Sequence, residues 1–192
     1  MDSLFAIRGQ NFLLMAADEH AIGSILVVKP QHDKIRRLGE NCLLASAGQV
    51  GDTNKFTEYI ERNLKLLSLT HGRELSPSAS ASYIRNTLAE ALRDHPYEVN
   101  SLFGGMNADG GFELYNIDYL GACVPVDEGT VGYCGHFVLG IFDEWRDPNM
   151  TVEGAKELAK KVINELRTRF IVNNPSFIVK ILTPEGLEVE HY

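Results

Sequence analysis

Only three of the 192 residues are cysteine. Cys42, Cys123 and Cys134 are odd in number, far apart and never in a C-x-x-C pair, which suits no disulfide framework. They predict free, mostly buried thiols in a reducing compartment. No apolar run approaches the roughly 18–20 residues that a bilayer span requires, so no membrane partner is expected. Met1-Asp2-Ser3-Leu4 puts no basic segment ahead of an apolar stretch and does not read as a secretory signal. Positive charge is also short: 18 basic against 26 acidic side chains leave a net −8. Residues 1–96 are balanced at 11 and 11, whereas residues 97–192 carry 7 and 15. A groove that tracks phosphates needs a positive field, so nucleic acid is not an expected partner. Lys34, Arg36 and Arg37 form the one tight basic cluster, read as a solvated strand end or a subunit contact.

Motifs of bound groups are missing too. There is no G-x-G-x-x-G, P-loop, H-E-x-x-H or EF-hand. The six histidines show no metal-ligand spacing, so neither metal nor cofactor is expected. The glycine-rich run Gly129–Gly135 lacks the lysine of a phosphate loop and reads as tight strand packing. Leu44-Ala45-Ser46-Ala47-Gly48 looks superficially like a nucleophile elbow. Leu44 stands where the strained turn needs glycine, which argues against a Ser46 hydrolase.

What is present is 44% apolar and 23% charged, ordinary usage for a globular chain with one core. Residues 1–192 hold no linker or repeat and are read as one domain. Leu4–Arg8 and Phe12–Ala17 read as a hairpin across Gly9-Gln10-Asn11, and Lys34–Leu38 with Cys42–Ala47 as a second. The period then changes: Phe56, Ile60, Leu64 and Leu67 mark one helix face. Ser76-Pro77 opens another helix, with Ser as N-cap and Pro at the first position. Ile84, Leu88 and Leu92 line it and His95-Pro96 ends it. Val99–Gly105 and Phe112–Tyr119 are strands joined by a turn in which Asp109-Gly110-Gly111 supplies positive φ. Two short strands follow around Pro125, then a helix over Phe137–Trp145. Thr151 caps a long helix striped by Ala155, Leu158, Ala159, Val162, Ile163, Leu166 and Phe170, stopped by Asn173-Asn174-Pro175. Phe177–Leu182 and Leu187–Glu190 close the chain as a hairpin. Hairpins make antiparallel sheets, and helices arriving in pairs cover the outer faces of two stacked sheets. The expected class is α+β, a four-layer α-β-β-α sandwich. Tyr59, Tyr119, Phe137 and Trp145 are either interface anchors or core filling.

One constellation carries more. Ala16-Ala17-Asp18 ends a strand, Lys34 starts the next one sixteen residues on, and Gly48-Gln49-Val50-Gly51-Asp52 joins strand to helix. With Gly51-Asp52-Thr53, Phe56-Thr57-Glu58-Tyr59-Ile60, Glu74-Leu75-Ser76-Pro77, Tyr115-Asn116-Ile117-Asp118-Tyr119, Gly132-Tyr133 and Arg169-Phe170, the chain over nearly its whole length resembles proteasome β subunits. These are a branch of the N-terminal-nucleophile hydrolases, and the likeness is greatest to the β4-position branch, also called β type 2.

The resemblance implies a fold of the N-terminal-nucleophile hydrolase type. In active members a leading Thr attacks the peptide carbonyl with its own amino group as base. An Asp and a Lys behind it set its protonation, and a backbone N–H at a glycine holds the oxyanion. Asp18, Lys34 and Gly48 match those supporting positions. Asp2 falls at the nucleophile position, Tyr133 where a supporting Ser stands, and Phe170 where a supporting Asp stands. A support shell without its attacker cannot run acyl transfer, so the resemblance implies no catalytic residue here, with Asp18 and Lys34 kept as an inter-strand ion pair. The rival is trimming to Ser3 as an N-terminal nucleophile. Ser3 lies one residue past that position, and a one-residue step turns a strand side chain to the opposite face.

By the same likeness the chain takes one place in each inner ring of the 20S core, four stacked seven-membered rings. Its neighbours there are β3-position and β5-position subunits, the α ring and the opposing β ring. The complex degrades unfolded, usually ubiquitin-tagged polypeptides in an ATP-dependent pathway, without a cofactor for peptide hydrolysis, in cytoplasm and nucleus. The stretch Glu19–His32, which borders the substrate cleft in active members, would face the cleft of an adjoining β5-position subunit through Ile25 and Val27.

Overall fold

The computed structural model describes residues 2–23, 26–170 and 175–192. Strands β1 (Leu4–Arg8), β2 (Leu13–Asp18), β10 (Glu128–Val131), β11 (Phe177–Thr183) and β12 (Gly186–His191) form one antiparallel sheet in the order β10-β1-β2-β11-β12. Strands β5 (Ile35–Leu38), β6 (Cys42–Gly48), β7 (Val99–Met106), β8 (Phe112–Ile117) and β9 (Cys123–Pro125) form the other, in chain order. A separate two-stranded ribbon pairs β3 (Ala21–Gly23) with β4 (Leu26–Lys29).

The apolar runs of the sequence are strands buried on both faces. In β1, Phe5 and Ile7 point toward one layer while Leu4 and Ala6 point to the other. In β2, Leu14 and Ala16 alternate with Leu13, Met15 and Ala17. The first set meets helices α3 (Gly135–Trp145) and α4 (Val152–Arg169) through Val138, Phe142, Leu158, Val162 and Leu166. The second set meets Leu43, Ala45, Leu102 and Leu114 of the facing sheet. Beyond that sheet, Leu44, Val99 and Phe103 pack on Phe56, Ile60, Ile84 and Leu88 of helices α1 (Val50–His71) and α2 (Pro77–Ala91). Three apolar layers between four structural layers make the α-β-β-α sandwich, with period-2 alternation sending each side chain to its layer.

The helix starts follow their caps. Ser76 Oγ accepts from Ala79 N at 3.2 Å with Pro77 at the first position, and Thr151 Oγ1 accepts from Gly154 N at 3.2 Å. Several ends differ from expectation. α2 stops at Ala91, before His95-Pro96, with Leu92 already at the cap. α4 stops at Arg169, so Phe170 leaves the stripe and its ring meets Phe137 edge-on at 6.2 Å. Asn173 and Asn174, expected to stop that helix, lie outside the described residues. The two short strands around Pro125 belong to different sheets: β9 pairs with β8 and β10 with β1.

Lys34 is not the solvated strand end expected of it. It is buried, whereas Arg36 and Arg37 of the same cluster are exposed. Tyr59, Tyr119 and Trp145 are exposed, and Phe137 is half-buried against the α3–α4 layer.

Candidate functional site

Three chain segments converge at one end of the sandwich. β2 ends on Asp18, which is fully buried, and the residue before β5 is Lys34. The extended start of the chain runs beside β2 and brings in Asp2. Lys34 Nζ lies 2.7 Å from Asp18 Oδ2 and 2.7 Å from Asp2 Oδ1. The other Asp18 oxygen accepts the Ser3 N–H at 2.7 Å. Asp18 thus accepts from the amine behind it and from the backbone beside it. Burial raises its carboxyl above the usual carboxylate range, with Lys34 and the Ser3 amide opposing that rise.

Register decides which leading side chain faces the cleft. Asp2 turns toward Lys34, and Ser3, one step on, turns the other way and is fully buried. Its Oγ lies on the side of the buried Cys134, whose thiol is pushed up to about 11 chiefly by burial. Gly132 lets the leading strand lie this close. Its φ is +94°, and a Cβ there would stand 2.0 Å from the Asp2 carbonyl oxygen.

Gly48 occupies the far side. It ends β6 at φ +152°, and a Cβ would meet the Glu98 carbonyl oxygen at 1.9 Å, so no other residue fits without moving backbone. Ser46 N donates to Lys34 O, while Gln49 N donates to Glu98 O of the opposite neighbour. Alternation along the strand therefore turns the Gly48 N–H to the β5 side, beyond the start of β5. There it borders a cleft of about 80 Å³ lined also by Asp2, Ile22, His32, Lys34, Val50 and Thr53. At about 10–15 Å³ per water, that is room for a few waters or one small side chain. His32 is held below the usual histidine range by burial first and by Lys29 and Lys34 after it. Gln49 caps α1 through Oε1, which accepts from Gly51 N and Asp52 N.

Asp2, Asp18, Lys34 and Gly48 are therefore assembled at one site. Tyr133 and Phe170 are not part of the cluster. Tyr133 is exposed in the turn after β10, and Phe170 has no polar atom to offer and packs on Phe137. Ser46 is a buried strand residue whose Oγ pairs with Ser101 Oγ at 2.8 Å, not an exposed elbow. Two features escaped the sequence reading. His32 gave no signal beyond being one histidine of six. Lys180, a lone charge inside the apolar run of β11, reaches across to Asp33 Oδ2 and Ile35 O, each at 2.5 Å. It holds the chain on both sides of Lys34, and a lysine in a two-sided apolar strand is a legible sign of such an anchor. Of the two residues expected to shape a neighbour's pocket, Val27 is exposed and Ile25 lies outside the described residues.

Chemically, the cleft brings together an amine, two carboxylates and a backbone N–H. A backbone N–H faces the cleft, and an amine sits at its floor. The group in front of that amine is a carboxylate already joined to it. Among the described residues, no cluster of His, Cys, Asp and Glu could hold a metal ion, and no helix is long and apolar enough to cross a membrane.

Comparison with known proteins bears on the family of the chain. A family model described as "Proteasome subunit" matches residues 2–182. The chain is 40% identical over 186 residues to "Proteasome subunit beta type-2-B" of Arabidopsis thaliana, covering 97% of this chain and 94% of that one. It is 39% identical over 189 residues to "Probable proteasome subunit beta type-4" of Schizosaccharomyces pombe, with 97% of each covered. It is 38% identical over 189 residues to "Proteasome subunit beta type-4" of Saccharomyces cerevisiae, covering 97% and 96%.

Proposed function

Because this chain belongs to the proteasome subunit family and has a core subunit's role, assembling with other proteasome subunits, we propose that its part there is architectural and not catalytic. It closes the inner β ring at the β4 position, walls the degradation chamber, and leaves peptide hydrolysis to subunits with a leading nucleophile. The whole of residues 1–192 acts as one β-subunit domain. Its lateral neighbours are the β3-position and β5-position subunits, with the α ring on one side and the opposing β ring on the other. Unfolded, ubiquitin-tagged chains pass through the chamber it helps enclose, in cytoplasm and nucleus.

The observation that carries this reading is the Asp2–Lys34 contact at 2.7 Å. The amine that would tune a nucleophile is bound by a carboxylate in the nucleophile's place. A carboxylate tied up in an ion pair is a poor attacker of an amide, and the Gly48 N–H has no tetrahedral oxyanion to hold. Retention of Asp18 and Lys34 then has a structural purpose: they tie β2 and β5 to the leading strand.

The test is purification through a tag on this chain, followed by intact mass. The expected result is recovery with the other, distinct α and β subunits and a chain that begins at Met1 or Asp2. Recovery of the tagged chain without other proteasome subunits, or as a chain trimmed to Ser3 whose hydrolysis is abolished by Ser3→Ala, overturns the proposal.

A further inference from the structure

Helix α1 runs for 22 residues, yet only its first half is seated: its buried residues are Phe56, Thr57 and Ile60. From Glu61 to Ser76 no residue is buried, and Pro77 at the start of α2 is the next that is. The stretch holds the leucines Leu64, Leu66, Leu67, Leu69 and Leu75. Of these only Leu64 packs on the apolar layer that contains Phe56 and Ile60. A segment with so little buried apolar surface belongs to the least stable part of a fold. Between it and the sheet lies a cavity of about 40 Å³. Leu38 and Cys42 of the sheet line it on one side, and Leu64, Ser68 and Leu75 on the other.

Among the described residues, two side-chain contacts tie Glu61–Leu75 to the sheet. Arg36 pairs with Glu61 at 3.2 Å with both side chains exposed, and a pair so open to water contributes little. The other contact is Glu74, whose Oε1 accepts the Glu40 N–H at 2.9 Å in the turn between β5 and β6. A charged acceptor makes this the stronger kind of hydrogen bond. Gly39 admits the carboxylate: its φ is +66°, and a Cβ there would stand 2.4 Å from Glu74 Oε1. We propose that Glu61–Leu75 is a strap that opens as a unit between the seated residues Ile60 and Pro77, and that the Glu74 carboxylate is its latch. Opening joins the cavity to solvent and uncovers the Cys42 thiol. With the strap closed that thiol is buried, and burial, followed by Glu74 and Glu113, pushes it up to about 12. Cys42 therefore reports on the strap from within. This inference does not depend on the core-subunit reading above.

The test uses the protein purified through a tag on this chain, in whatever assembly it occupies. Hydrogen exchange read by mass spectrometry compares the two halves of α1, and iodoacetamide labelling with peptide mapping follows Cys42. In wild type the amides of Leu64–His71 are expected to exchange about tenfold faster, or more, than those of Lys55–Ile60. Glu74→Ala removes the latch bond and raises both the exchange of Leu64–His71 and the alkylation of Cys42 by about tenfold. Glu74→Gln keeps an acceptor oxygen and restores most of the wild-type protection. Lys55–Ile60 and the buried Cys134 keep their wild-type rates in both variants, which separates a local opening from global loosening. Equal exchange along the whole of α1 in wild type overturns the proposal. So does a Glu74→Ala variant that leaves Cys42 alkylation unchanged, or one that loosens both halves of α1 and Cys134 alike. If Glu74→Ala does not fold, the contrast between the two halves of wild-type α1 decides by itself.

Discussion

Between Asp2 and Asp18, Lys34 is held by two carboxylate oxygens in a place almost closed to water. Replacing it with Met leaves the fully buried Asp18 without its counter-ion. Breaking a buried pair from one side costs about 3–5 kcal/mol, and the urea midpoint of Lys34→Met falls by the corresponding amount. The double variant Lys34→Met with Asp18→Leu recovers most of that loss, because neither charge is then stranded. A double variant as unstable as the single one would show that the pair is not what stabilises the site. At Gly48, alanine must place its Cβ where the Glu98 carbonyl stands. Gly48→Ala is expected to cost about 1–3 kcal/mol, seen as a lower thermal midpoint. Asp18, Lys34 and Gly48 were singled out by the family resemblance; the apolar runs beside them marked only strand ends, and no local pattern assigns them a shared site. The Ser46–Ser101 pair was not legible, because it depends on the β6–β7 register, which no local pattern reports.

Among the elements, the final strand is fixed to α4 by charge more than by apolar contact. Lys156 reaches Glu188 and Glu190 of β12, and Tyr192 adds a hydrogen bond to Glu190. Those bonds hold Glu190 below the ordinary carboxyl range, Lys156 contributing most. A depressed carboxyl stabilises the fold above its unfolded value and loses that contribution as pH falls through its folded value. Glu190→Gln is therefore less stable than wild type at pH 7, and the gap between them closes as the solution is acidified below about pH 4.5. Denaturant midpoints at several pH values measure it, and a gap that widens on acidification contradicts the assignment. At α2, Ser76→Ala removes the bond to Ala79 N and is expected to cost about 1 kcal/mol. The capped starts of α2 and α4 and most strand pairs could be read from sequence, since caps and alternation are local. The β3–β4 ribbon could not. Leu26, Val27 and Val28 are all exposed, so the inside–outside alternation that marks a strand is missing. Helix ends at Ala91 and Arg169 were also hidden, because the chain leaves the helix before its strongest breakers.

For the whole molecule, four layers follow from strands apolar on both faces and from paired helices, and both traits are written in the composition of the runs. The sharing of β9 and β10 between two sheets is not, since three or four residues carry too little pattern to choose a partner. A ribbon with apolar residues on both faces and a helix with bare glycine and tryptophan on its outer side are what a subunit leaves uncovered for its neighbours. The first half carries no net charge while the second carries the entire acidic surplus, so contacts formed by the second half should respond more strongly to salt. Under the architectural role proposed above, this chain shapes the chamber without cutting. The most direct measurement of that role is to treat purified particles with a covalent probe of N-terminal nucleophiles and map the adducts by mass spectrometry. Adducts on other β subunits and an unmodified leading segment on this chain are the predicted result; a stoichiometric adduct on the first residue of this chain would contradict it.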